Sequence, residues 1–429
     1  MNISTFQIKI IMRITVHRGT DQIGGCITEY EHNGWRLFVD YGEQLPGTAV
    51  AGSPLKIEGL NCGDLSRSAL LVTHYHGDHI GNISEVPTEV PIYMGKITRD
   101  IAIEHSKRLG TVDKDYALMA RRLEDVGTFT PGEIFAFGDF RVLPVVIDHS
   151  AFDAYAFRIE TDGVKVFHTG DFRVHGFRGG KLRMVLEVIV GKVDYVVCEG
   201  TNVSRADATQ LSEYVLKQRF ISAFRRHKYN VVYLSSTNID RLFGLYHAAL
   251  EAHRPFYVDS YQKSIMDIVA GHDHIWKKVS LYNYDSNFAP IALWERGGDF
   301  VVRDEFKDKL ERRGYVLIAR GNEKFDRLIE QMPPMDKKRY LSMWNGYIDP
   351  VKAAYNQKLA KSLGNKFEYM HTSGHVDMDS LKTIIGLLSP KAVIPIHTDD
   401  PLGFNEMIGT TWSVLLLNDG EMFDTGDRR

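Results

Sequence analysis

The sequence predicts an α/β protein in which one α/β module is inserted into a larger α/β host domain. The first 200 residues contain many short strand-like segments and few helices, whereas residues 201–365 alternate strands with helices. Such alternation is typical of a parallel sheet covered by helices on both faces. The chain has 429 residues, more than one compact core usually contains, so two domains are expected.

The first part of the host domain is predicted from short apolar runs, several of which end at polar residues. Strands are predicted at residues 13–16, 36–39, 69–72, 142–147, 154–160, 164–168 and 195–198. The strands at 154–160 and 164–168 flank Asp162-Gly163. This dipeptide predicts a hairpin, because Asp-Gly tolerates the positive φ of a tight turn.

The remainder of the chain is predicted to contain the inserted module and the end of the host domain. Helices are predicted at residues 209–227, 239–252, 261–269, 324–331, 351–363 and 379–388, and strands at 231–234, 255–258, 315–318, 368–370 and 392–396, before a last strand pair. We therefore predict a host domain formed by residues 12–200 and 366–429, with residues 201–365 as the insert.

Composition places the chain among folded soluble proteins, with 44% hydrophobic and 25% charged residues. No apolar run approaches the ~20 residues that cross a membrane, so no membrane partner is expected. The first 14 residues make a poor signal peptide, and either Met1 or Met12 could be the natural start. Cys26, Cys62 and Cys198 have no paired spacing, which favours a reducing cytoplasm.

The charge is distributed unevenly. The net charge of −3 argues weakly against a nucleic-acid partner, but residues 201–365 carry 26 Lys and Arg against 19 Asp and Glu. The rest of the chain carries 26 against 36. A basic insert could meet phosphates while an acidic host holds cations; scattered surface charge is the alternative.

The strongest functional pattern is the segment THYHGDH, which holds His74, His76, Asp78 and His79. Neutral imidazoles and carboxylates suit zinc, manganese or iron. Four ligand-type residues are too many for one tetrahedral ion that shares its site with a substrate. The segment therefore favours two adjacent ions, one bound by the first two histidines and the other by Asp78 and His79. A chance cluster of surface polar residues is the alternative.

Single residues further along the chain could complete this site, since each follows a predicted strand. These residues are His149, Asp171 and His397. Loops at the carboxyl ends of strands commonly gather to form sites. Each residue alone is better explained as a structural residue, but together with the histidine-rich segment they favour a metal site.

The motifs resemble those of the metallo-β-lactamase superfamily, whose signature HxHxDH is present here, and more narrowly its β-CASP branch, which includes ribonuclease J. The resemblance implies an αββα sandwich with an inserted β-CASP-type α/β domain. Asp40 in FVDYG, His149, and Asp171 in GDFR match the remaining host motifs, and Glu199, His375 in HTSGH and His397 in IPIH match the β-CASP motifs.

Carried over from the family, one metal takes His74, His76 and His149, and the other takes Asp78, His79 and His397. Asp171 bridges the two metals, and Asp40 orients a ligand. The implied cofactor is two zinc ions, with manganese as the alternative. Asp78 and Asp171 are expected to orient a metal-bound hydroxide, His375 to protonate the leaving oxygen or grip the phosphate, and Glu199 to orient His375.

In this branch a histidine at the position of His397 accompanies RNA-processing members, whereas valine accompanies DNA-processing members. The resemblance therefore implies hydrolysis of RNA, with single-stranded DNA as the alternative. It also implies phosphate binding by a set of small polar residues, for which turn and helix-cap chemistry is the alternative explanation. These residues are Ser235, Ser236, Asn238, Ser373 and Gly374.

Three departures from ribonuclease J leave the cleavage mode and the oligomeric state, including a homo-oligomer, open. Thr398 and Asp399 replace Gly-Glu, residues 319–325 read ARGNEKF instead of a glycine-rich segment, and no extra carboxy-terminal domain is expected.

Two other functions stay open at this stage. The first is hydrolysis of a small molecule such as a lactam, thioester or lactone, and the second is a non-catalytic scaffold. On the insert, possible phosphate contacts are Arg225, Arg226, Lys228 and Arg241, and candidates for base stacking are Tyr229, Tyr233 and Tyr347. Core packing or a solvated face explains most of these side chains better.

Overall fold

The structure is a computed structural model that describes residues 12–45, 54–205, 210–272 and 280–426. Met1, which is one of the two candidate start residues, and residue 209, where the helix 209–227 is predicted to begin, lie outside the described residues. The strands are β1 (Arg13–Arg18), β2 (Ile27–His32), β3 (Trp35–Val39), β4 (Ser68–Leu71), β5 (Ile92–Met94), β6 (Gly127–Thr128), β7 (Phe135–Phe137), β8 (Phe140–Val146), β9 (Tyr155–Thr161), β10 (Val164–His168), β11 (Tyr195–Glu199), β12 (Tyr229–Tyr233), β13 (Phe256–Val258), β14 (Ile291–Ala292), β15 (Glu295–Arg296), β16 (Asp299–Phe300), β17 (Tyr315–Ala319), β18 (Lys338–Leu341), β19 (Glu368–Tyr369), β20 (Ala392–Ile396), β21 (Ser413–Val414) and β22 (Met422–Asp424).

The helices connect these strands. The α-helices are α1 (Gly77–Ile80), α2 (Lys96–Leu109), α3 (Lys114–Glu124), α4 (Leu182–Val185), α5 (Glu213–Arg226), α6 (Ile239–Glu251), α7 (Ser260–Gly271), α8 (Asp304–Arg313), α9 (Glu323–Gln331), α10 (Gln357–Leu363), α11 (Met378–Leu388) and α12 (Pro401–Ile408). Short 3₁₀ turns include Val203–Arg205 and Asn345–Tyr347. Within the described part of the chain, none of the helices is long and apolar enough to span a bilayer.

Two seven-stranded sheets pack face to face and share a central core. Their strand orders are β22-β1-β2-β3-β4-β5-β6 and β21-β20-β11-β10-β9-β8-β7. Val39 of β3 and Val197 of β11 lie in the shared core. Because successive side chains of a strand point to opposite faces, the neighbouring Phe38 and Val196 face outer cores, which include residues of α2 and α11 respectively. These four layers confirm the predicted αββα sandwich.

A third sheet is built from strands of the insert, in the order β14-β13-β17-β12-β18-β19. Every pairing in it is parallel. Val232 of β12 packs with α5, α6 and α7 on one face, whereas Val231 and Tyr233 pack with α8, α9 and α10 on the other. Burial of each such side chain contributes roughly 1.5–3 kcal/mol. The prediction of a parallel sheet covered on both faces is confirmed.

Several predicted elements differ from the structure. The helix predicted at 351–363 begins only at Gln357, because the side chain of Asn356 accepts from the backbone N–H of Leu359 and caps the helix there. The last two strands do not pair with each other, since β21 pairs with β20 and β22 pairs with β1. The predicted hairpin at Asp162-Gly163 is confirmed by the antiparallel pairing of β9 and β10. The domain boundaries at 200 and 365 stay predictions.

Candidate metal centre

The candidate site lies where several strands of the sandwich end. The polar residues at these ends are Asp40 after β3, His74, His76, Asp78 and His79 after β4, His149 after β8, Asp171 after β10, Glu199 at the end of β11 and His397 after β20. Strands β3 and β4 are parallel, as are β10, β11 and β20. Parallel strands place their carboxyl ends at one edge of a sheet, which explains how residues so distant in sequence meet.

The imidazole rings of His74, His76 and His149 bring one nitrogen each close together. Nδ1 of His76 lies 3.1 Å from Nε2 of His74 and 3.3 Å from Nε2 of His149. The Nδ1 of His149 donates to the carbonyl of Gly374 at 2.8 Å, and Nδ1 of His74 lies 3.0 Å from the hydroxyl of Thr73. Burial lowers the pKa of all three imidazoles, to about 4 for His76. Neutral imidazoles are the form that binds a metal ion.

Two histidines and two carboxylates form the adjacent group. Nε2 of His397 lies 3.2 Å from Oδ2 of Asp78 and 3.6 Å from Oδ2 of Asp171. Nε2 of His79 lies 3.2 Å from the same oxygen of Asp171. Although burial opposes ionisation, the nearby histidines hold the pKa of both carboxyl groups below the usual range. The group therefore offers anionic oxygens beside imidazole nitrogens.

Two polar residues orient the histidines of this second group. Oδ2 of Asp40 lies 2.7 Å from Nδ1 of His79, and Oγ1 of Thr201 lies 2.7 Å from Nδ1 of His397. Each contact leaves Nε2 of the ring directed at the carboxylates. Partners of this kind fix the orientation of histidines that bind metals. Thr201 was not predicted as a site residue, although it follows the Glu199 motif by two positions.

The residues present fit a pair of cations. Potential ligand atoms lie within 4.8 Å of one another in each of two groups, which consist of His74, His76 and His149, and of Asp78, His79, Asp171 and His397. Oδ1 of Asp171 is buried and, within the described part of the chain, has no hydrogen-bond partner. An unpartnered buried carboxylate oxygen is costly, and a bound cation would remove that cost.

His375 lies beside the second group. Its Nδ1 is 2.8 Å from Oε2 of Glu199 and 3.7 Å from Oδ2 of Asp171. Although burial disfavours the charged ring, these two carboxylates raise the pKa of His375 to about 9. Glu199 is itself held, because its Oε1 accepts from the backbone N–H of Phe172 at 2.7 Å. The imidazolium is thus positioned by a fixed carboxylate.

Comparison with protein families adds a finding independent of this geometry. A family model described as a Beta-lactamase superfamily domain matches residues 64–219, and one described as a Zn-dependent metallo-hydrolase RNA specificity domain matches residues 365–402. These two matches confirm the predicted resemblance to the metallo-β-lactamase superfamily. The protein is a metal-dependent hydrolase, and the two matched segments between them contain every residue of the two groups described above.

Relatives of this protein confirm the predicted resemblance to ribonuclease J, which extends over most of the chain. Ribonuclease J of Mycolicibacterium smegmatis is 24% identical, with 90% of this chain and 68% of that enzyme covered. The enzyme of Mycoplasma pneumoniae is 22% identical, with 92% and 69% covered. A crystal structure of a protein of unknown function from Enterococcus faecalis matches with a TM-score of 0.72 at 18% identity, covering 96% of this chain and 100% of that one, which shows the fold alone.

The residues predicted to hold phosphate lie in two places. Gly374 and Ser373 adjoin the metal centre, where the Gly374 carbonyl accepts from His149. The other three residues lie in the segment 235–238. This segment is joined to the metal centre by Tyr75, whose hydroxyl donates to the carbonyl of Thr237 at 2.9 Å. Within this segment Asn238 caps α6, Ser236 accepts from Gln262, and Ser235 contacts the hydroxyl of Thr237. Their role toward phosphate stays a prediction.

Two of the possible nucleic-acid contacts on the insert are buried residues instead. Arg241 is 1% exposed and Tyr233 is 0% exposed, so neither can reach a substrate. Arg225, Arg226 and Lys228 are exposed but precede β12, at the amino end of the parallel sheet. The segment that touches the metal centre follows the carboxyl end of β12, at the opposite edge. The basic residues therefore do not line the centre.

A buried charge network that links the sandwich to the insert was not predicted. Three guanidinium groups and three carboxylates form it, all less than 4% exposed, and they belong to Arg173, Arg178, Arg241, Asp148, Glu213 and Asp240. Arg178 also donates to the carbonyl of His149 at 2.5 Å. Sequence patterns could not identify it, because charged residues are expected at the surface unless their partners are known.

Proposed function

We propose that this protein hydrolyses phosphodiester bonds of RNA at a centre of two zinc ions. The proposed ligands are His74, His76 and His149 for one ion and Asp78, His79 and His397 for the other, with Asp171 between them. The convergence of these seven donor side chains, with one buried oxygen of Asp171 unpartnered, is the observation that carries the proposal. Imidazole and carboxylate donors suit zinc, and manganese is the alternative.

The chemistry divides between the metals and the side chains. Bound zinc ions would supply a nucleophile from water near neutral pH and offset charge on the phosphoryl oxygens. Asp40 and Thr201 hold the rings of His79 and His397 in position through their outer nitrogens. The Nδ1 of His375 lies 2.8 Å from Oε2 of Glu199, which leaves Nε2 able to donate a proton to the leaving oxygen.

RNA is favoured over the other substrates by two findings. The relatives that match over most of this chain are named ribonuclease J, and the segment that contains His375 and His397 matches an RNA specificity family model. The insert also carries an excess of 7 positive charges, from 26 Lys and Arg against 19 Asp and Glu in residues 201–365. Single-stranded DNA and a lactam or thioester are kept as alternative substrates in the test.

The test combines substrate, polarity and metal content. Purified protein is incubated with 5′-labelled RNA, 3′-labelled RNA and single-stranded DNA of the same sequence, and its zinc content is measured by mass spectrometry. We expect cleavage of RNA and two zinc ions per chain, with both lost in Asp78→Ala. The matched control is Asp267→Ala, which removes an exposed carboxylate paired with Lys263 on α7. Hydrolysis of a lactam or thioester without RNA cleavage would overturn the proposal.

Replacement of His375 tests its proposed role separately. His375→Ala should lower the turnover number by about 10²–10⁴-fold if the ring is the general acid. Zinc content should stay unchanged, because His375 is not among the proposed ligands. Unchanged turnover would remove His375 from the mechanism while leaving the metal centre in place.

A further inference from the structure

Arg205, near the start of the insert, lies over an aromatic residue further along the insert, next to the metal centre. Cζ of Arg205 lies 4.6 Å from the ring centroid of Trp344. The ring of Tyr347 meets that of Trp344 edge to face, with centroids 5.7 Å apart. Trp344 is half-buried and Tyr347 is 37% exposed. We refer to these three residues as the aromatic platform.

The arginine of the platform is anchored through its own chain segment to residues that position the metal centre. Arg205 ends the 3₁₀ turn Val203–Arg205. Four residues earlier Thr201 contacts Nδ1 of His397 at 2.7 Å, and the next residue, Asn202, donates to the carbonyl of His375 at 3.1 Å. The guanidinium group therefore lies at the end of a short segment whose start contacts the ring of His397 and the backbone of His375.

The two aromatic residues of the platform, Trp344 and Tyr347, lie near the same centre. Trp344 and Tyr347 follow the carboxyl end of β18, the edge of the insert sheet at which the neighbouring β12 continues into the segment held by Tyr75. The platform thus borders the space where a substrate phosphate would lie.

The chemistry of these side chains matches single-stranded RNA. Aromatic rings stack on nucleobases without selecting a sequence, and each stacked base contributes roughly 1–3 kcal/mol. An arginine that lies flat on an indole keeps the edge of its guanidinium group free to donate to phosphate.

We propose that Trp344 and Tyr347 bind a nucleobase adjacent to the scissile phosphate of single-stranded RNA, and that Arg205 contacts a neighbouring phosphate. This inference rests on the proposed function and specifies how the substrate is held. It assigns the recognition of one unpaired base to the junction between sandwich and insert. Double-stranded RNA, whose bases are already stacked and paired, would lose this contribution.

The variants that test it are Tyr347→Ala, Tyr347→Phe and Trp294→Ala. Trp294 is a matched control, because Arg303 lies 4.0 Å from its ring centroid and it is 47% exposed. It follows β14, at the edge of the insert sheet four strand positions from β18, a separation of roughly 19 Å. The measurement is kcat and KM on a single-stranded RNA and on the same RNA with one abasic ribose at a time.

We expect Tyr347→Ala to lower kcat/KM on the complete RNA by roughly 5- to 150-fold, which corresponds to the loss of one stacked base. Tyr347→Phe keeps the ring and should restore most of that loss, and Trp294→Ala should match wild type. With wild-type protein, an abasic residue at one position near the cleaved bond should slow hydrolysis by a similar factor. With Tyr347→Ala, the same abasic substitution should have little further effect, because the two changes remove one interaction.

The possible failures are distinguishable. If wild-type protein does not cleave RNA at all, the proposed function fails. If it does, but Tyr347→Ala equals wild type and no abasic position slows hydrolysis, the platform is not a base site and this inference is overturned while RNA hydrolysis stands. If Tyr347→Ala does not fold, as judged by circular dichroism, the abasic series on wild-type protein decides alone.

Discussion

Removal of Asp240 should destabilise the protein strongly, because this carboxylate is the acceptor for three buried groups. Its Oδ2 accepts from Arg173 at 2.7 Å, and its Oδ1 accepts from Arg178 at 3.2 Å and from the hydroxyl of Tyr282 at 2.6 Å. Asp240 itself is 0% exposed. The network contains three guanidinium groups and three carboxylates, so Asp240→Ala would leave one buried positive charge without a counterion.

The loss of stability in Asp240→Ala depends on which hydrogen bonds Arg173 and Arg178 keep. Arg173 keeps a 2.9 Å hydrogen bond to Glu213, and Arg178 keeps its bonds to backbone carbonyls, so neither guanidinium group loses every partner. Loss of one partner of a buried ion pair typically costs about 3–5 kcal/mol. Because folded proteins are stable by only about 5–15 kcal/mol, this is a large fraction of the total.

Urea denaturation, followed by tryptophan fluorescence and circular dichroism, measures the change in the free energy of unfolding. The control is Asp267→Ala, whose carboxylate is 49% exposed and pairs with Lys263 one helical turn away. An exposed pair of this kind contributes about 0.3–0.5 kcal/mol. If Asp240→Ala cost no more than this control, the network would not be a stabilising link between sandwich and insert, and the argument from burial would be refuted.

Three further variants have expected outcomes. Thr201→Val should weaken zinc binding by about 10- to 100-fold in a competition titration with a chelating dye, because His397 loses the partner of its Nδ1, and an unchanged affinity would refute this role. Burial opposes the ionised form of Glu213, but Arg241 and Arg173 lower its pKa to about 2, so its contribution of roughly 3 kcal/mol is present above pH 4.5 and is lost as the pH falls from 4.5 toward 2. The difference in the free energy of unfolding between wild type and Glu213→Gln should shrink over that range, and a constant difference would contradict it. Ser389→Gly should raise the free energy of unfolding by roughly 0.5 kcal/mol in urea denaturation, because relief of a left-handed serine at φ 49° outweighs the added chain entropy of glycine, and a lower midpoint would contradict it.

Local sequence signals predicted much of the fold. The strand at 392–396 has the predicted bounds, and the predicted helix 239–252 ends one residue later than α6. These elements have long apolar patterns and clear ends. The helix at 351–363 was predicted too long, since Val351 is 89% exposed and precedes the Asn356 cap. The pairing of the last two strands depended on contacts with β1 and β20, which are far away in sequence.

The candidate site was predictable where chemistry is concentrated in short motifs. The spacing of the ligand-type residues in THYHGDH was enough to predict metal binding. The more distant ligands were predicted from their positions after strands and from the family resemblance. Arg241 shows why the rest could not be predicted. An arginine on a basic insert suggested a phosphate contact, but its true partner is Glu213, 28 positions earlier, and only the packing of α5 against α6 reveals the pair. Tertiary pairing decides whether a charge is a ligand site or a structural link.

At the metal centre, two residues adopt backbone conformations that non-glycine residues normally avoid, because the geometry of the site requires them. Asp40 and His397 adopt left-handed conformations, with φ of 62° and 51°, which costs a non-glycine residue about 1–2 kcal/mol. In return, the carboxylate of Asp40 accepts from the backbone and hydroxyl of Thr73, each at 2.8 Å, and lies 2.7 Å from Nδ1 of His79. Glycine at position 40 would relieve the backbone but remove all three contacts, so Asp40→Gly should destabilise the protein. The opposite sign is expected at Ser389, which is exposed at the end of α11, and this contrast distinguishes strain that serves the site from strain that does not.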